Sequence, residues 1–249
     1  MTTLTKRLEC IYELIPKETK RLVDVGCDHG FLSKKFLENT EATKALLIDN
    51  KEKPLNKAKQ NLENIETSRL EFSLSDGLLD WQQEAADTVV IAGLGAKTII
   101  GILEDKYKSI KANKAFPEYK EDFNLLIQSM RHQEIVRYFM RINDFELLEQ
   151  DLVSDNNFIY SVDLYSFNFS KLKHLSSMHD TNNLEDFLGS ILLNKLESKS
   201  ELNKLAEVKE YLYRQSNVAK IEMPGLAKEK QEARKEVIKK LDSLREKLK

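Results

Sequence analysis

The amino-acid sequence predicts an α/β protein with a mostly parallel β-sheet and a helical tail. Up to about residue 165, short apolar runs rich in β-branched residues alternate with segments of helical periodicity. After that point only helical periodicity remains. Alternating strands and helices predict a parallel sheet covered by helices on both faces. A chain of 249 residues is long enough for such a core and an appendage.

Seven strands are predicted, with helices between them. An amphipathic helix opens the chain, and its charges argue against a secretion signal. Further helices are predicted over residues 33–39, 54–64 and 97–104. Only "SDNN" separates the last two strands, which predicts a terminal antiparallel hairpin. The predicted strands are the runs RLVDVG, KALLIDN, RLEFSLSD, DTVVIAG, FNLLIQS, FELLEQDLV and FIYSVDLYSF.

The tail pattern predicts a helical hairpin resembling a coiled coil. Apolar residues from Leu184 to Leu205 mark one long helix, and those from Val237 to Leu248 mark another. Pro224 and Gly225 lie between them and favour a chain reversal. We expect arms of about 20 to 30 residues, roughly 30 to 45 Å long at 1.5 Å per residue. The predicted domains are residues 1–168 and 169–249, and a dimerisation arm without a ligand is the alternative for the second.

Composition indicates an ordinary folded protein of the cytoplasm. The hydrophobic fraction is 41% and the charged fraction 32%, and no apolar run is long enough to span a membrane. Cys10 and Cys27 are expected to be free thiols. The four histidines are dispersed without ligand spacing, so no metal site is predicted.

Charge is distributed unevenly along the chain. Residues 171–249 contain 17 Lys and Arg against 13 Asp and Glu, whereas the whole chain has a net charge of -2. The tail is therefore the basic part. Such an excess fits an anionic partner, although a merely solvated helix surface would give the same count.

The segment "DVGCDHG" carries the first chemical signal. Asp24, Gly26, Asp28 and Gly30 have the D-x-G-x-G-x-G spacing of the first strand-to-helix turn in class I S-adenosylmethionine methyltransferases, with Asp28 in place of the middle glycine. A carboxylate at Asp28 would repel a dinucleotide pyrophosphate. It is compatible with the cationic sulfonium and ammonium groups of S-adenosylmethionine, so the turn favours a methyl donor over NAD.

Two more acids follow the next two strands. Asp49, followed by Asn50, ends the second strand, where a carboxylate can accept both ribose hydroxyls. Asp76, followed by Gly77, ends the third, where methyltransferases commonly place an acid beside the adenine amino group. Each alone is also typical of a surface turn. Three acids at successive strand ends predict a site for S-adenosylmethionine as cofactor.

The fourth strand ends in small residues where the acceptor is expected. Many methyltransferases that act on exocyclic amines carry an N-P-P-Y-like tetrapeptide here, and this chain has Ala92, Gly93, Leu94 and Gly95. Small residues leave space for a flat base and expose backbone polar groups. A tight turn that serves packing alone is the alternative interpretation.

These segments together resemble the bacterial tRNA adenine-22 N1-methyltransferases. The shared features are "DVGCDHGFL", "DTVVIAGLGAKTIIGIL", the opening "LTKRLECIYELIPK" and the basic helical tail. The family pattern reads "DIGSDHAYLP" and "IAGMGG", with glutamine, proline and asparagine after the fifth strand. Here Gln128 is followed by Ser129 and Met130. The resemblance covers about the first 165 residues, and the tail by architecture more than by sequence.

The resemblance implies methyl transfer to N1 of adenine in tRNA. Asp28 is then the candidate for stabilising the cationic product, and His29 a polar contact or proton acceptor. A helix-start role for His29 is equally compatible with the sequence. The expected cofactor contacts include Ala92 and Gly93. The expected substrate contacts are Arg7, Phe31, Gly95 and Gln128.

The tail is expected to contact tRNA phosphates without determining donor binding. Deleting residues 175–249 should then weaken tRNA binding and leave donor affinity intact. The alternatives are a methyltransferase acting on another RNA, a protein or a small molecule, and a non-catalytic RNA-binding or dimerisation protein. The oligomeric state stays open. The basic residues expected at the RNA are Lys195, Lys199, Lys204, Lys209, Arg214, Lys228, Lys230, Arg234, Lys235, Lys239 and Lys240.

Overall fold

The computed structural model describes residues 3–39, 43–112, 121–175, 181–198 and 204–248. Within them, a seven-stranded sheet has the order β3-β2-β1-β4-β5-β7-β6. Pairing is parallel from β3 to β5 and antiparallel at β7 and β6. The predicted α/β class is confirmed. The strands are β1 (Arg21–Val25), β2 (Lys44–Asp49), β3 (Leu70–Leu74), β4 (Asp87–Leu94), β5 (Phe123–Ser129), β6 (Glu146–Asp155) and β7 (Phe158–Phe167).

Helices cover both faces of this sheet. The predicted helix over residues 54–64 is found three residues shorter at its end, and the one over 97–104 extends to Ala112. The helices before the tail are α1 (Lys6–Glu13), α2 (Phe31–Asn39), α3 (Glu52–Asn61), α4 (Ala96–Ala112) and α5 (Gln133–Ile142). Those of the tail are α6 (Leu184–Leu188), α7 (Ser190–Glu197), α8 (Leu205–Glu222) and α9 (Lys228–Lys247).

Alternation along the strands distributes side chains between two cores. In β1, Val23 and Val25 are buried in the core that includes α4 and α5, whereas Leu22 is buried in the core that includes α1, α2 and α3. This follows from the two-residue repeat of a strand. It also directs Asp24 to the face covered by α2. β1 and β4 are neighbours at the centre, where the strand order reverses and ligands of open α/β sheets bind.

The predicted terminal hairpin is confirmed. Asn156 and Asn157 connect β6 to β7 and have φ of 50° and 63°. Positive φ at both residues matches a type I′ turn, and asparagine tolerates that region better than most residues. Because β7 is antiparallel to β5, it begins at the edge of the sheet where the parallel strands end.

The long first helix predicted for the tail is wrong, because the chain breaks at Gly189. Gly189 has φ of 78°, and a Cβ there would lie 2.6 Å from Nε2 of Gln150. Gln150 satisfies the backbone groups freed by the break: its Nε2 donates to the Leu188 carbonyl (2.8 Å) and its Oε1 accepts from the Leu192 N–H (3.0 Å). Leu202, which was assigned to this helix, lies outside the described residues.

A helical hairpin is present, but it involves α8 and α9. A short 3-10 turn over Met223–Gly225 joins them, as the Pro224 and Gly225 pair predicts. Helices of 18 and 20 residues extend about 27 and 30 Å. α8 contacts β6 and β7 as well as α9, so the pair does not project as a free arm. The domain division at residues 168 and 169 stays a prediction.

A buried polar network joins the tail to the sheet. Arg137 of α5 donates from Nε to Asp163 Oδ2 of β7 (2.8 Å). Its Nη1 donates to the Phe187 carbonyl (2.7 Å) and to the Tyr211 hydroxyl (2.8 Å), both in the tail. Burial opposes the charge of Arg137, but Asp163 outweighs this and holds the pKa of the guanidinium above its usual value. The tail is thus hydrogen-bonded to a buried ion pair between α5 and the sheet.

Candidate functional site

Most of the predicted site residues line one cavity at the carboxyl edge of the sheet. Its volume is about 460 Å³, and it lies around the ends of β1, β2 and β4. Predicted residues that line it are Arg7, Asp24, Gly26, Asp28, His29, Phe31, Asp49, Asn50, Asp76, Gly77, Ala92 and Gly93.

The turn after β1 explains the unusual aspartate. Gly26, Asp28 and Gly30 have φ of 73°, 46° and 68°, so left-handed backbone recurs at every second position. Glycine is the usual residue for such φ values, and aspartate is among the few others that adopt them. Gly30 does not line the cavity. A Cβ on it would lie 2.9 Å from Cδ2 of Leu47, so Gly30 allows the turn before α2 to pack closely against β2.

Asp24 is the most deeply buried acid of the site. Its Oδ2 accepts a hydrogen bond from the Ser33 hydroxyl of α2 at 2.7 Å. Burial raises the pKa of Asp24 to about 6, Ser33 opposes that rise, and the negative charge of Asp49 adds to it. A cation bound nearby would favour the ionised form of Asp24.

Asp49 and Asp76 lie where the sequence places them. Oδ1 of Asp49 accepts the Lys51 N–H at 2.9 Å, which orients the carboxylate at the start of α3. Oδ2 accepts no hydrogen bond from the described residues and is available to a ligand hydroxyl. Asp76 is exposed at the end of β3, and Gly77 beside it has φ of 58°. A Cβ on Gly77 would lie 2.8 Å from the Ile102 side chain, so α4 closes tightly over this turn.

His29 and Phe31 form an aromatic pair at the cavity. Their rings stack with centroids 5.5 Å apart and an angle of 13°. Nε2 of His29 lies 3.6 Å from Oδ2 of Asp28, whose side chain is 71% exposed. The Asn61 side chain donates to the His29 carbonyl at 2.9 Å and fixes the backbone there. A carboxylate, an imidazole and an exposed phenyl ring therefore face one opening.

Gln128 forms hydrogen bonds with the end of β4 and with Arg7. Its Oε1 accepts from Nη1 of Arg7 (2.7 Å) and from the Gly93 N–H (3.1 Å), and its Nε2 donates to the Ser129 carbonyl (2.7 Å). The Leu94 carbonyl accepts from the Met130 N–H at 2.8 Å. The prediction that this turn exposes free backbone groups is thus wrong for the Gly93 N–H and the Leu94 carbonyl.

Gln128 and Gly95 are predicted substrate contacts that do not line the cavity. Gln128 is fully buried, and its amide is occupied as described. Open space surrounds the position of a Cβ on Gly95. Both assignments stay predictions. Sequence reasoning missed Ser33, because a serine nine residues after Asp24 carries no recognisable spacing. It also missed Ser75, Thr98 and Ile102, which line the cavity.

One trio of possible metal ligands occurs among the described residues. Nδ1 of His132 lies 3.0 Å from Glu134 Oε1 and 3.3 Å from Glu222 Oε1. Oε2 of Glu222 lies 2.9 Å from Nη1 of Arg234. The hydrogen bond to Glu134 raises the pKa of His132. These contacts form an ion-paired link between the start of α5 and the end of α8. The predicted lack of a metal site stays a prediction.

Some basic residues of the tail are buried or paired within the protein, and others are exposed. Arg234 is buried and donates to Glu222 and to the Thr181 hydroxyl, so its predicted position at the RNA is wrong. Lys204 donates to Asp151 and to the Leu152 carbonyl. Lys199 lies outside the described residues. The exposed ones include Lys195, Lys228, Lys235, Lys239 and Lys240.

Among helices in the described part of the chain, none is long and apolar enough to cross a membrane.

Fold and cavity together define a nucleotide-type ligand site on a Rossmann-like sheet. Residues 4–162 match the methyltransferase domain family, and the chain belongs to that family. The Bacillus subtilis tRNA (adenine(22)-N(1))-methyltransferase is 28% identical over 160 residues, which is 64% of this chain and 63% of that protein. The match therefore spans less than two thirds of that relative.

Solved structures share the fold over nearly the whole chain. M. capricolum TrmK, in complex with S-adenosylhomocysteine, has a TM-score of 0.68, 21% identity and 99% coverage of both chains. An uncharacterised Listeria monocytogenes protein has a TM-score of 0.69, 20% identity and 99% coverage of both chains. At these identities the similarity demonstrates the common fold, including the helical tail.

Proposed function

We propose that this protein transfers a methyl group from S-adenosylmethionine to N1 of adenine-22 in tRNA. The observation that carries the proposal is the meeting of three strand-end acids, Asp24, Asp49 and Asp76, at one cavity of a methyltransferase-family fold. The name of the Bacillus subtilis relative supports the choice of base and RNA. The cytoplasm is the location that we infer from the proposed tRNA substrate.

The residues of the cavity fit the methyl donor. We assign the free oxygen of Asp49 to the ribose hydroxyls, and Asp76 to the adenine amino group. Gly26 and Gly93 line the cavity at the ends of β1 and β4 and bring no side chains into it. Asp24 supplies a buried negative charge for the cationic part of the ligand. When bound there, S-adenosylmethionine supplies an electrophilic methyl group on sulfur.

The acceptor chemistry requires alignment more than proton transfer. N1 of neutral adenine has a lone pair, which forms the new N–C bond while the methyl–sulfur bond breaks and its electrons stay on sulfur. Because no proton is removed first, orientation is the main contribution and can supply about 7 to 11 kcal/mol. The exposed Phe31 ring is available for stacking on the base. Asp28 can stabilise the positive charge that develops on the ring.

Donor affinity is expected to depend on the protonation of Asp24. Because its pKa in the free protein is about 6 and a bound cation favours the carboxylate, affinity should rise as pH increases through about 6 and level off above it. Asp24→Asn should bind more weakly and lose this pH dependence. Calorimetric titration with S-adenosylmethionine between pH 5 and 8 measures both. A wild-type affinity that is flat across this range would contradict the role of Asp24.

Transfer of an isotope-labelled methyl group to unmodified tRNA transcripts tests the proposed function. Label should enter a transcript with adenine at position 22, and a matched transcript with guanine there should stay unlabelled. Label in both transcripts would assign a different base. Donor binding without label in a range of tRNAs would favour another acceptor, namely another RNA, a protein or a small molecule.

A further inference from the structure

We propose that Arg7, Phe158 and Arg214, joined through the buried ring of Tyr160, form an arginine–aromatic track on which unpaired nucleotides next to the target base stack. This inference rests on the proposed function, because it names the surface that leads RNA into the cavity. The partner is a single-stranded or looped stretch of RNA.

The four side chains make a continuous series of contacts. Cζ of Arg7 lies 5.9 Å from the centroid of the Tyr160 ring. The Tyr160 and Phe158 rings are 6.1 Å apart and tilted by 31°. Cζ of Arg214 lies 5.7 Å from the centroid of the Phe158 ring. The track therefore runs from α1, across the start of β7, to α8 of the tail.

Sheet topology places this track beside the cavity. β7 is antiparallel to β5, and Asp163 pairs with Ile127 near the carboxyl end of β5. Tyr160 and Phe158 precede Asp163, so they lie further toward the edge where the cavity opens. Arg7 itself lines the cavity and contacts the turn after β4 through Gln128. One end of the track is thus in the site, and the other is on the tail.

The exposure of Phe158 and the hydrogen bonds that fix the two arginines indicate a binding surface more than a packing contact. Phe158 is 56% exposed at the end of the hairpin, where it adds little to the core. Arg214 is fixed over its ring, because Nε donates to Glu210 (2.7 Å) and Nη2 to the Asn157 carbonyl (2.7 Å). Arg7 is fixed by Gln128, while its Nε and Nη2 make no hydrogen bond to the described residues. Tyr160 is buried and supports the neighbouring side chains.

The chemistry of the track fits nucleobases better than a peptide or a lipid surface. Proteins that bind single-stranded RNA stack bases on exposed aromatic rings and on guanidinium planes, and use free guanidinium N–H groups for phosphates. A target base buried in folded tRNA has to leave its stack before it reaches the donor. Stacking of its neighbours on Phe158 offsets part of that cost.

Substitution of Phe158 tests the track directly. Phe158→Leu removes the aromatic ring but keeps an apolar side chain, and we expect the Kd for a tRNA transcript to rise about tenfold. The salt dependence of binding should keep its slope, because no phosphate contact is lost. Phe158→Trp should retain wild-type affinity. Fluorescence anisotropy of a labelled transcript over a salt series provides these values.

The control is Leu148→Ala on the other strand of the same hairpin. Leu148 is 43% exposed near the far end of β6, away from the cavity, and its loss should leave tRNA affinity unchanged. Thermal stability and donor affinity should match wild type in all three variants. Wild-type tRNA affinity in Phe158→Leu would overturn the track, as would a loss shared equally by Leu148→Ala. If wild-type protein bound tRNA through Phe158 without methylating it, the proposed function alone would fail.

Discussion

Replacing Asp49 by alanine is expected to weaken S-adenosylmethionine binding at least about 100-fold. Hydrogen bonds to a charged group contribute about 1.5 to 3 kcal/mol each, and this substitution removes two from the ribose hydroxyls. Backbone changes should be small, because Asp49 is only half-buried and its structural bond is to Lys51. Isothermal titration calorimetry with the donor, or with S-adenosylhomocysteine, measures the loss.

The matched control is Asp105→Ala, which removes one exposed carboxylate from α4 outside the cavity. It changes the net charge by the same amount, and donor affinity should stay at the wild-type value. Asp28→Ala should also weaken donor binding, though less, because its side chain is 71% exposed. Unchanged affinity in both Asp49→Ala and Asp28→Ala would remove the basis for the donor site described above.

Replacing Arg137 by methionine is expected to destabilise the protein by about 3 to 5 kcal/mol. The substitution leaves Asp163 buried without its counterion, and loss of one partner of a buried ion pair has this typical cost. It also removes hydrogen bonds to the Phe187 carbonyl and the Tyr211 hydroxyl, which attach the tail. Urea unfolding followed by circular dichroism measures the change.

Two variants separate the buried charge from general packing effects. Arg141→Met also leaves a buried carboxylate, Asp186, without its counterion, but Arg141 is one third exposed, so water can reach its position and the loss should be smaller than for Arg137→Met. The double variant Arg137→Met with Asp163→Leu should recover part of the stability, because no unpaired charge remains. A double variant less stable than Arg137→Met would show that Asp163 has a different structural role.

This network changes the expectation for a truncated protein. Deleting residues 175–249 would expose the apolar surface of Leu152 and leave Arg137 without its tail partners. We therefore expect the truncated chain to lose stability as well as tRNA affinity. Because the tail packs on the sheet and is not a free arm, substitutions of exposed tail residues are the better test of RNA binding.

The strands and the acids at their ends were predictable, because their signals are local in sequence. Apolar runs of five to ten residues define β1 to β7, and the carboxyl ends of parallel strands meet at one edge. Asp24, Asp49 and Asp76 therefore lie together in the fold as the sequence indicates. The left-handed backbone at Asp28 also gives a reason for the glycine-like spacing around it.

Contacts between distant segments were not predictable. The break at Gly189 depends on Gln150, which lies 39 positions earlier on another element. The occupation of the Gly93 N–H depends on Gln128 and Arg7, from β5 and α1. Arg234 has the helical spacing of a surface lysine or arginine, yet tertiary packing buries it beside Thr181 and Phe187. Such pairings are decided by the assembled fold.

Mass spectrometry of nucleosides from unmodified tRNA tests the central claim most directly. The tRNA is incubated with the protein and isotope-labelled S-adenosylmethionine, then digested, and the methylated nucleoside is identified against standards. The proposed function predicts labelled 1-methyladenosine, mapping to position 22. Labelled N6-methyladenosine, a methylated guanosine, or no labelled nucleoside despite intact donor binding would contradict it.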